Sequence, residues 1–319
     1  MKVLLVRTSS MGDLVHTLPA IEDLAKNRPD VELHWLCEEA FADIARLHPF
    51  VKKVHVMAWR RWRKNLVSRE TWAEFFAFKK KMREGNYDKV LDAQGLIKSA
   101  IFSRMAKTAV TGLDKTSARE SMAAFFYQEK FQVVRGENAV WRNRQLFAQV
   151  FAYTFTDEVD FGVRLPESVQ WSGYPEQYHV CLTAASRDHK LWPEEHWRQL
   201  FTVMHQHDGL PIYLPFGNNE EKMRAERLAQ DFAFVSVCPK MTLHEASILL
   251  GKATSVIGVD TGLLHLANAF NRPLIGIYTA TDPNKTGVQS SPRAVNIGGI
   301  GIIPTVQQID EVWQRIQMQ

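Results

Sequence analysis

The sequence predicts an α/β protein made of two doubly wound domains. Three observations lead there: 319 residues exceed what one hydrophobic core usually serves, Val/Leu/Ile-rich runs alternate with segments of helical period, and that rhythm stops and restarts near the middle. Strands are expected at 2–6, 31–37, 51–57, 87–91 and 110–113, with helical stretches between them. A polar, turn-rich stretch at 154–175 follows, carrying Pro166, Gly173 and Pro175, and is the expected linker. Strands then recur at 178–183, 211–215, 234–237, 255–259 and 274–278, with helices starting near Pro193, Asn218, Thr242 and Thr261. The domains are placed at 1–160 and 161–319. Ligands of such folds bind beyond the carboxyl ends of the strands, so the chemistry belongs on loops that follow strands and face a crevice between the halves.

Composition narrows the class. An apolar share of 45%, a charged share of 23% and a mean hydropathy of −0.23 describe a globular protein, not a disordered or membrane-embedded one. No run approaches the ~20 apolar residues needed to cross a bilayer, and the opening Met1–Val6 run is broken by Arg7, so it reads as a strand and not as a signal peptide. Cys37, Cys181 and Cys238 lie in apolar runs without metal-ligand spacing, which predicts buried free thiols and no zinc site. The net charge is only +4, yet 57–83 holds nine Lys/Arg against Glu70 and Glu74, a local basic surface for an anionic partner.

Six segments carry candidate chemistry. After the first strand, Arg7-Thr8-Ser9-Ser10-Met11-Gly12-Asp13 leads into a helix; its small residues allow close approach of a ligand and Asp13 points to the crevice, although an aspartate there equally suits a helix cap. After the strand at 87–91 comes Asp92-Ala93-Gln94-Gly95-Leu96-Ile97-Lys98-Ser99, where Gln94 and Lys98 can hold a hydroxylated or anionic acceptor, unless they are an ordinary capped helix and surface lysine. In Trp59-Arg60-Arg61-Trp62-Arg63-Lys64, helical spacing sets Trp59, Trp62 and Leu66 on one stripe and turns Arg60, Arg61 and Lys64 away. No nucleic-acid module accompanies this segment, so a phosphorylated or carboxylated substrate at a membrane surface fits it better, with a solvated charge run as the alternative.

In the second half, Ser186 and Lys190 on the loop before Trp192-Pro193 can hold phosphate oxygens, while Trp192 and Trp197 read as packing residues. Asp260-Thr261-Gly262 opens a helix whose N-terminus is a ready diphosphate site, with His265 one turn in as either a ligand contact or a packed histidine. Glu220 and Glu221, after Gly217-Asn218, are either ribose-binding carboxylates or favourable first-turn charges; the second reading is preferred.

Taken in order, the loops at 7–13, 60–64, 92–99, 192–197 and 260–262 resemble the lipopolysaccharide heptosyltransferases, and the likeness runs through nearly the whole chain. The resemblance implies a GT-B fold, two Rossmann-like domains facing each other across a cleft, with the C-terminal helix around 309–316 packing back on the first domain. It implies an inverting transfer of L-glycero-D-manno-heptose from ADP-heptose to a Kdo residue of Kdo-lipid A. It further implies no metal or other cofactor, no nucleic-acid partner, a monomer, and a cytoplasmic location at the inner-membrane face. Carried over by position, Asp13 is the catalytic base, and Ser186, Lys190, Glu221, Asp260, Thr261, Gly262 and His265 bind the donor. Ser10, Gly12, Arg60, Arg61, Arg63, Lys64, Gln94, Lys98 and Arg119 face the acceptor. Two positions depart from the family: Ala185-Ser186 stands where a Thr pair is common, and His189 where an acidic residue is. Alternatives are the family member that adds a second heptose, and a nucleotide-sugar or polyanion-binding protein without catalysis.

Overall fold

The computed structural model describes residues 1–165 and 173–317. The chain divides into two compact units, Met1–Arg164 and Leu165–Gln319, a few residues beyond the expected boundary. Residues 166–172 of the expected linker, Pro166 among them, lie outside the described residues.

In the first unit, β1 (Lys2–Val6), β2 (Glu32–Glu38), β3 (Val51–Met57), β4 (Lys89–Asp92), β5 (Val110–Leu113) and β6 (Glu129–Phe131) form one sheet in the order β3-β2-β1-β4-β5-β6, and each pairing is parallel. Val3 to Val6 are completely buried, which is why this strand reads as an unbroken apolar run: both faces of a parallel sheet are covered by helices. Those helices are α1 (Met11–Val15), α2 (Leu18–Asn27), α3 (Ala42–Arg46), α4 (Trp59–Trp62), α5 (Arg69–Arg83), α6 (Ile97–Ser103) and α7 (Ala139–Phe151). Side-chain caps set two of their starts: Ser68 accepts from the amides of Glu70 and Thr71, and Asn138 from that of Val140.

The second unit repeats the plan with β7 (His179–Leu182), β8 (Ile212–Leu214), β9 (Val235–Val237), β10 (Ser255–Val259), β11 (Leu274–Tyr278) and β12 (Ala294–Gly298), ordered β12-β11-β10-β7-β8-β9. Counted from its own first strand, this is the same order as in the first unit. Its helices are α8 (Glu194–Asp208), α9 (Asn219–Ala229), α10 (Leu243–Lys252), α11 (Gly262–Ala269), α12 (Pro283–Thr286) and α13 (Val306–Gln317). Pro193, Asn218, Thr242 and Thr261 occupy the N-cap positions of α8 to α11. Thr242 and Glu245 form a reciprocal capping box.

The sequence reading missed one strand in each unit, and both are the outermost: β6 is three residues long with two of them charged, and β12 fully buries only its first residue, Ala294. The C-terminal helix is anchored within its own unit. Ile309, Trp313 and Ile316 of α13 enter the second unit's own core, and the Trp313 indole donates to Ser255 Oγ at 3.0 Å, so the helix's apolar stripe is satisfied there. Cys37, Cys181 and Cys238 are buried free thiols, as expected.

Candidate active site

Each sheet has a switch point where the strand order reverses, between β1 and β4 in the first unit and between β7 and β10 in the second. Loops leaving the two strands at such a point part and leave room for a ligand.

At the first switch point the loop after β1 carries Asp13, the third residue of α1. The Ser10 amide donates to Asp13 Oδ2 at 2.9 Å and the Ser10 hydroxyl lies at 3.2 Å, so the helix-cap reading is realised in part. More decisive are two guanidiniums. Arg7 Nη2 sits 3.3 Å from Oδ1, and Arg119 grips both oxygens, with Nη1 at 3.1 Å from Oδ2 and Nη2 on Oδ1. Burial works against the charge, but Arg7 and Arg119 overcome it and hold the Asp13 carboxyl well below the usual carboxylate range.

Arg119 reaches this place because of Gly95. Gly95 has φ +70°, and a Cβ on it would stand 3.2 Å from the Arg119 amide; the Glu120 amide donates to the Gly95 carbonyl at 2.9 Å. Only a glycine adopts that backbone freely while admitting so close a neighbour. Gln94, expected on the acceptor side, is engaged within the unit. It is 2% exposed, its Oε1 accepts from the Thr8 amide and hydroxyl at 2.6 and 2.8 Å, and its Nε2 donates to the Ser9 carbonyl. Both ends of the amide are used in fastening the loop after β4 to the loop after β1.

The basic segment divides. Lys98 is half-buried, and burial together with neighbouring Arg60 and Arg63 pushes its pKa down while Glu38 pulls it up; these four charges therefore share one locality. Arg63 and Lys64 are exposed and make no ion pair among the described residues. Arg61 does not join them: its Nη1 bonds both Glu74 oxygens at 3.1 and 2.9 Å and its Nη2 lies 3.4 Å from Glu39. Arg61, expected on the acceptor side, is engaged by these two carboxylates, and Trp62 reinforces the pairing by donating to Glu74 at 2.7 Å. Ser10 is exposed and Gly12 half-exposed beside Asp13.

Three residues here escaped the sequence reading. Arg7 follows β1 directly, and a cation at that position was a usable signal. Glu38 ends β2 fully buried, accepting the Arg60 amide at 2.8 Å with Oε1 while Oε2 finds no hydrogen-bond partner among the described residues. Arg142 of α7 lines, with Arg7, Gln94, Arg119 and Asn143, a cavity of about 40 Å³, room for a small polar group. Nothing local in the sequence links Arg142 to that place.

At the second switch point Lys190 ends a 3-10 turn, Asp188–Lys190, and its Nζ lies 2.7 Å from Asp260 Oδ2. Thr281 donates to the same oxygen at 2.7 Å, and His265 Nε2 is 3.9 Å from Oδ1. Thr261 is the N-cap of α11 but its hydroxyl makes no capping bond, so that hydroxyl and the first amides of the helix stand available for an anion. Ser186 is exposed on the same loop as Lys190, and Ala185 packs against the core. The His189 side chain is exposed while its carbonyl accepts from Thr279 at 3.0 Å. Glu221 Oε2 accepts the Gly217 amide at 2.7 Å and Oε1 the Asn218 side chain at 2.9 Å, the first-turn role preferred from sequence. Trp192 and Trp197 are buried packing residues.

Arg224 of α9 also went unforeseen. It donates to the carbonyls of Thr183 and Trp192 at 3.1 and 2.8 Å and pairs with Glu194 at 2.7 Å, so one guanidinium braces both ends of the Lys190 loop. Among the described residues no three His, Cys, Asp or Glu side chains are arranged to hold a metal ion.

Comparison with known proteins joins these loops to a chemistry. The model of glycosyltransferase family 9 (heptosyltransferase) matches residues 75–311. Lipopolysaccharide heptosyltransferase 1 of Escherichia coli (strain K12) is 42% identical over 289 residues, 90% of this chain and 90% of that protein. The chain belongs to glycosyltransferase family 9. It is a heptosyltransferase with a GT-B fold: the solved structure of E. coli heptosyltransferase WaaC with ADP is 39% identical, covers 98% of this chain and 99% of its own, and has a TM-score of 0.90. The same enzyme with ADP-2-deoxy-2-fluoro heptose gives 38% identity, the same coverage and a TM-score of 0.86. Within this heptosyltransferase the first unit supplies a carboxylate ringed by cations, and the second an ammonium beside a helix N-terminus.

Proposed function

We propose that the chain transfers L-glycero-D-manno-heptose from ADP-heptose to a Kdo residue of Kdo-lipid A with inversion, working as a monomer without a metal ion at the cytoplasmic face of the inner membrane. The observation that carries this reading is Asp13, an ionised carboxylate at a switch point beside exposed cations, on a chain whose likeness to type 1 enzymes runs through both units. The acceptor hydroxyl forms the new bond to the anomeric carbon as the bond to the ADP oxygen breaks. Asp13 takes the hydroxyl proton, and Lys190, Thr261 and the amides at the start of α11 receive the charge left on the diphosphate. With that charge met by protein groups, the reaction has no need of a divalent ion.

A carboxylate gripped by two guanidiniums is a weak base, since a good general base titrates near the working pH. The two grips differ. The Arg7 side chain is 6% exposed and that of Arg119 is 47% exposed, so a carboxylate on the acceptor can draw Arg119 to itself while Arg7 stays. Asp13 then gains basicity as the acceptor docks, with Arg63, Lys64 and Lys98 meeting the remaining anionic groups.

Mass spectrometry of the purified protein with ADP-heptose and Kdo-lipid A, in EDTA, is the test. One added heptose is expected. Turnover only on an already heptosylated acceptor would replace the reading by addition of a second heptose, and activity lost in EDTA and restored by Mg²⁺ would end the metal-free mechanism.

A further inference from the structure

One helical layer of the first unit is apolar on its outside as well as its inside. Helices α4, α5 and α6 and the 3-10 turn Ser121–Phe126 bury Trp62, Phe78, Met82, Ala100, Phe102 and Ala123 in one core against the sheet. The solvent side of such a layer is ordinarily polar. Here Val67 is 95% exposed, Phe125 76%, Phe76 and Met122 57%, and Trp72 and Ile101 46%. Trp72 is fixed in place, its indole donating to the Leu66 carbonyl at 2.8 Å and its ring 5.9 Å from those of Phe75 and Phe76. Single exposed apolar residues are commonplace, but six on neighbouring elements of one layer mark a contact surface.

The charges around these residues say what the contact is. Arg63, Lys64 and Arg69 flank Val67; Lys80 and Arg83 follow Phe76 along α5; Arg104 follows Ile101; all six are exposed. Of the acids in the same stretch, Glu74 is taken by Arg61 and Trp62, Glu120 accepts the Ile97 amide at 2.7 Å, Glu84 lies 3.8 Å from Lys80 and Glu70 is exposed, which leaves the cations of the border in excess. A symmetric contact with a second copy would set these cations against one another, because such an interface pairs a patch with itself. An anionic bilayer answers both features at once, phosphates for the cations and acyl chains for the apolar centre.

We propose that Val67, Trp72, Phe76, Ile101, Met122 and Phe125, within their border of lysines and arginines, form the face by which the chain docks on an anionic bilayer, with Trp72 at the headgroup level. The proposal rests on the lipid-borne acceptor argued above and adds the surface that brings the chain to it. In a parallel sheet each returning helix starts at the carboxyl edge, so α5, α6 and the turn at 121–126 begin on the edge that carries the Asp13 loop. The apolar face therefore starts near that edge, at Val67 and Trp72, and runs back along α5 to Phe76, so docking brings Arg63, Lys64 and Lys98 towards the depth of the acceptor's anionic groups.

The experiment is co-sedimentation of the full chain with vesicles of phosphatidylglycerol and phosphatidylethanolamine, with phosphatidylcholine vesicles as control, for the natural sequence and for the variants Val67→Asp/Phe76→Ser and Phe125→Ser. The natural chain is expected to bind the anionic vesicles and to leave them as salt rises. The double variant should bind about tenfold less or worse, and Phe125→Ser should fall between. Both should keep their melting temperature and their turnover of a de-acylated, soluble acceptor. Unchanged vesicle binding in folded variants overturns this docking face while leaving the membrane location intact. A natural chain that turns over the soluble acceptor and ignores anionic vesicles overturns both, and leaves heptosyl transfer standing. Variants that convert a dimer to a monomer in sedimentation velocity, without any vesicle effect, assign the face to self-association and overturn the proposal as well.

Discussion

In the first unit the carboxylate at the switch point, Asp13, is held by two guanidiniums; in the second, Asp260 is shared by one ammonium and one hydroxyl. The strand order is the same in both. With two cations to one carboxylate, the first site carries an excess of positive charge and keeps Asp13 ionised. With one of each, the second is balanced, with Asp260 holding Lys190; the proposed mechanism has a diphosphate claim that ammonium. The difference teaches that the two switch points of one scaffold, where Asp13 follows the first strand of its unit and Asp260 the fourth of its own, differ in their counter-ions, with an excess of cations in one and a matched pair in the other. In the proposed mechanism the anion works at the first and the cation at the second.

The largest effect should follow removal of the first working group. Asp13→Ala is expected to lower kcat by about 10²–10⁴, and turnover at the natural rate would remove the base from the account. Loss of the second working group should act on binding. Lys190→Ala is expected to weaken ADP binding by about ten- to a hundredfold, and to lower the melting temperature because Asp260 remains buried without its cation; an unchanged ADP affinity would break the comparison on that side.

Arg119 tests the tuning. Its removal should raise the KM for acceptor by about tenfold. It should also release part of the hold that keeps the Asp13 pKa low. The natural Asp13 stays ionised below the ordinary carboxylate range, so with the folded-state pKa moved up, the acid limb of kcat/KM should move to higher pH. A limb that does not move, or moves to lower pH, would deny the coupling. The smallest effect is expected from Arg61→Ala, about twofold or less on acceptor KM, because its guanidinium is already taken by Glu39 and Glu74; a loss as large as that of Arg119→Ala would return Arg61 to the acceptor site.

Much of this division was legible in the residues. Strands buried on both faces announce themselves as apolar runs, and N-caps such as Thr242 and Asn218 mark helix starts to within one residue. The edge strand β6 did not, because Glu129-Lys130-Phe131 pairs on one side only and buries little. Among site residues, Asp260 stands directly after a strand, and Asp13 and Lys190 lie on the loops or helix starts that follow strands, where position alone suggests a task. The partners of other site residues were not legible. Whether Arg61 is free depends on Glu39 and Glu74, whether Gln94 is free depends on Thr8 and Ser9, and the place of Arg142 depends on α7 folding beside the β1 loop. Such partners are chosen by tertiary packing, and side-chain type and spacing carry no record of them.

The most direct measurement of the division of labour is calorimetric titration of ADP into Asp13→Asn and Lys190→Ala, with turnover recorded on the same samples. The account predicts that Asp13→Asn binds ADP as the natural chain does yet transfers no heptose, while Lys190→Ala loses ADP affinity. Equal loss of ADP affinity in both variants, or full turnover in Asp13→Asn, would contradict it.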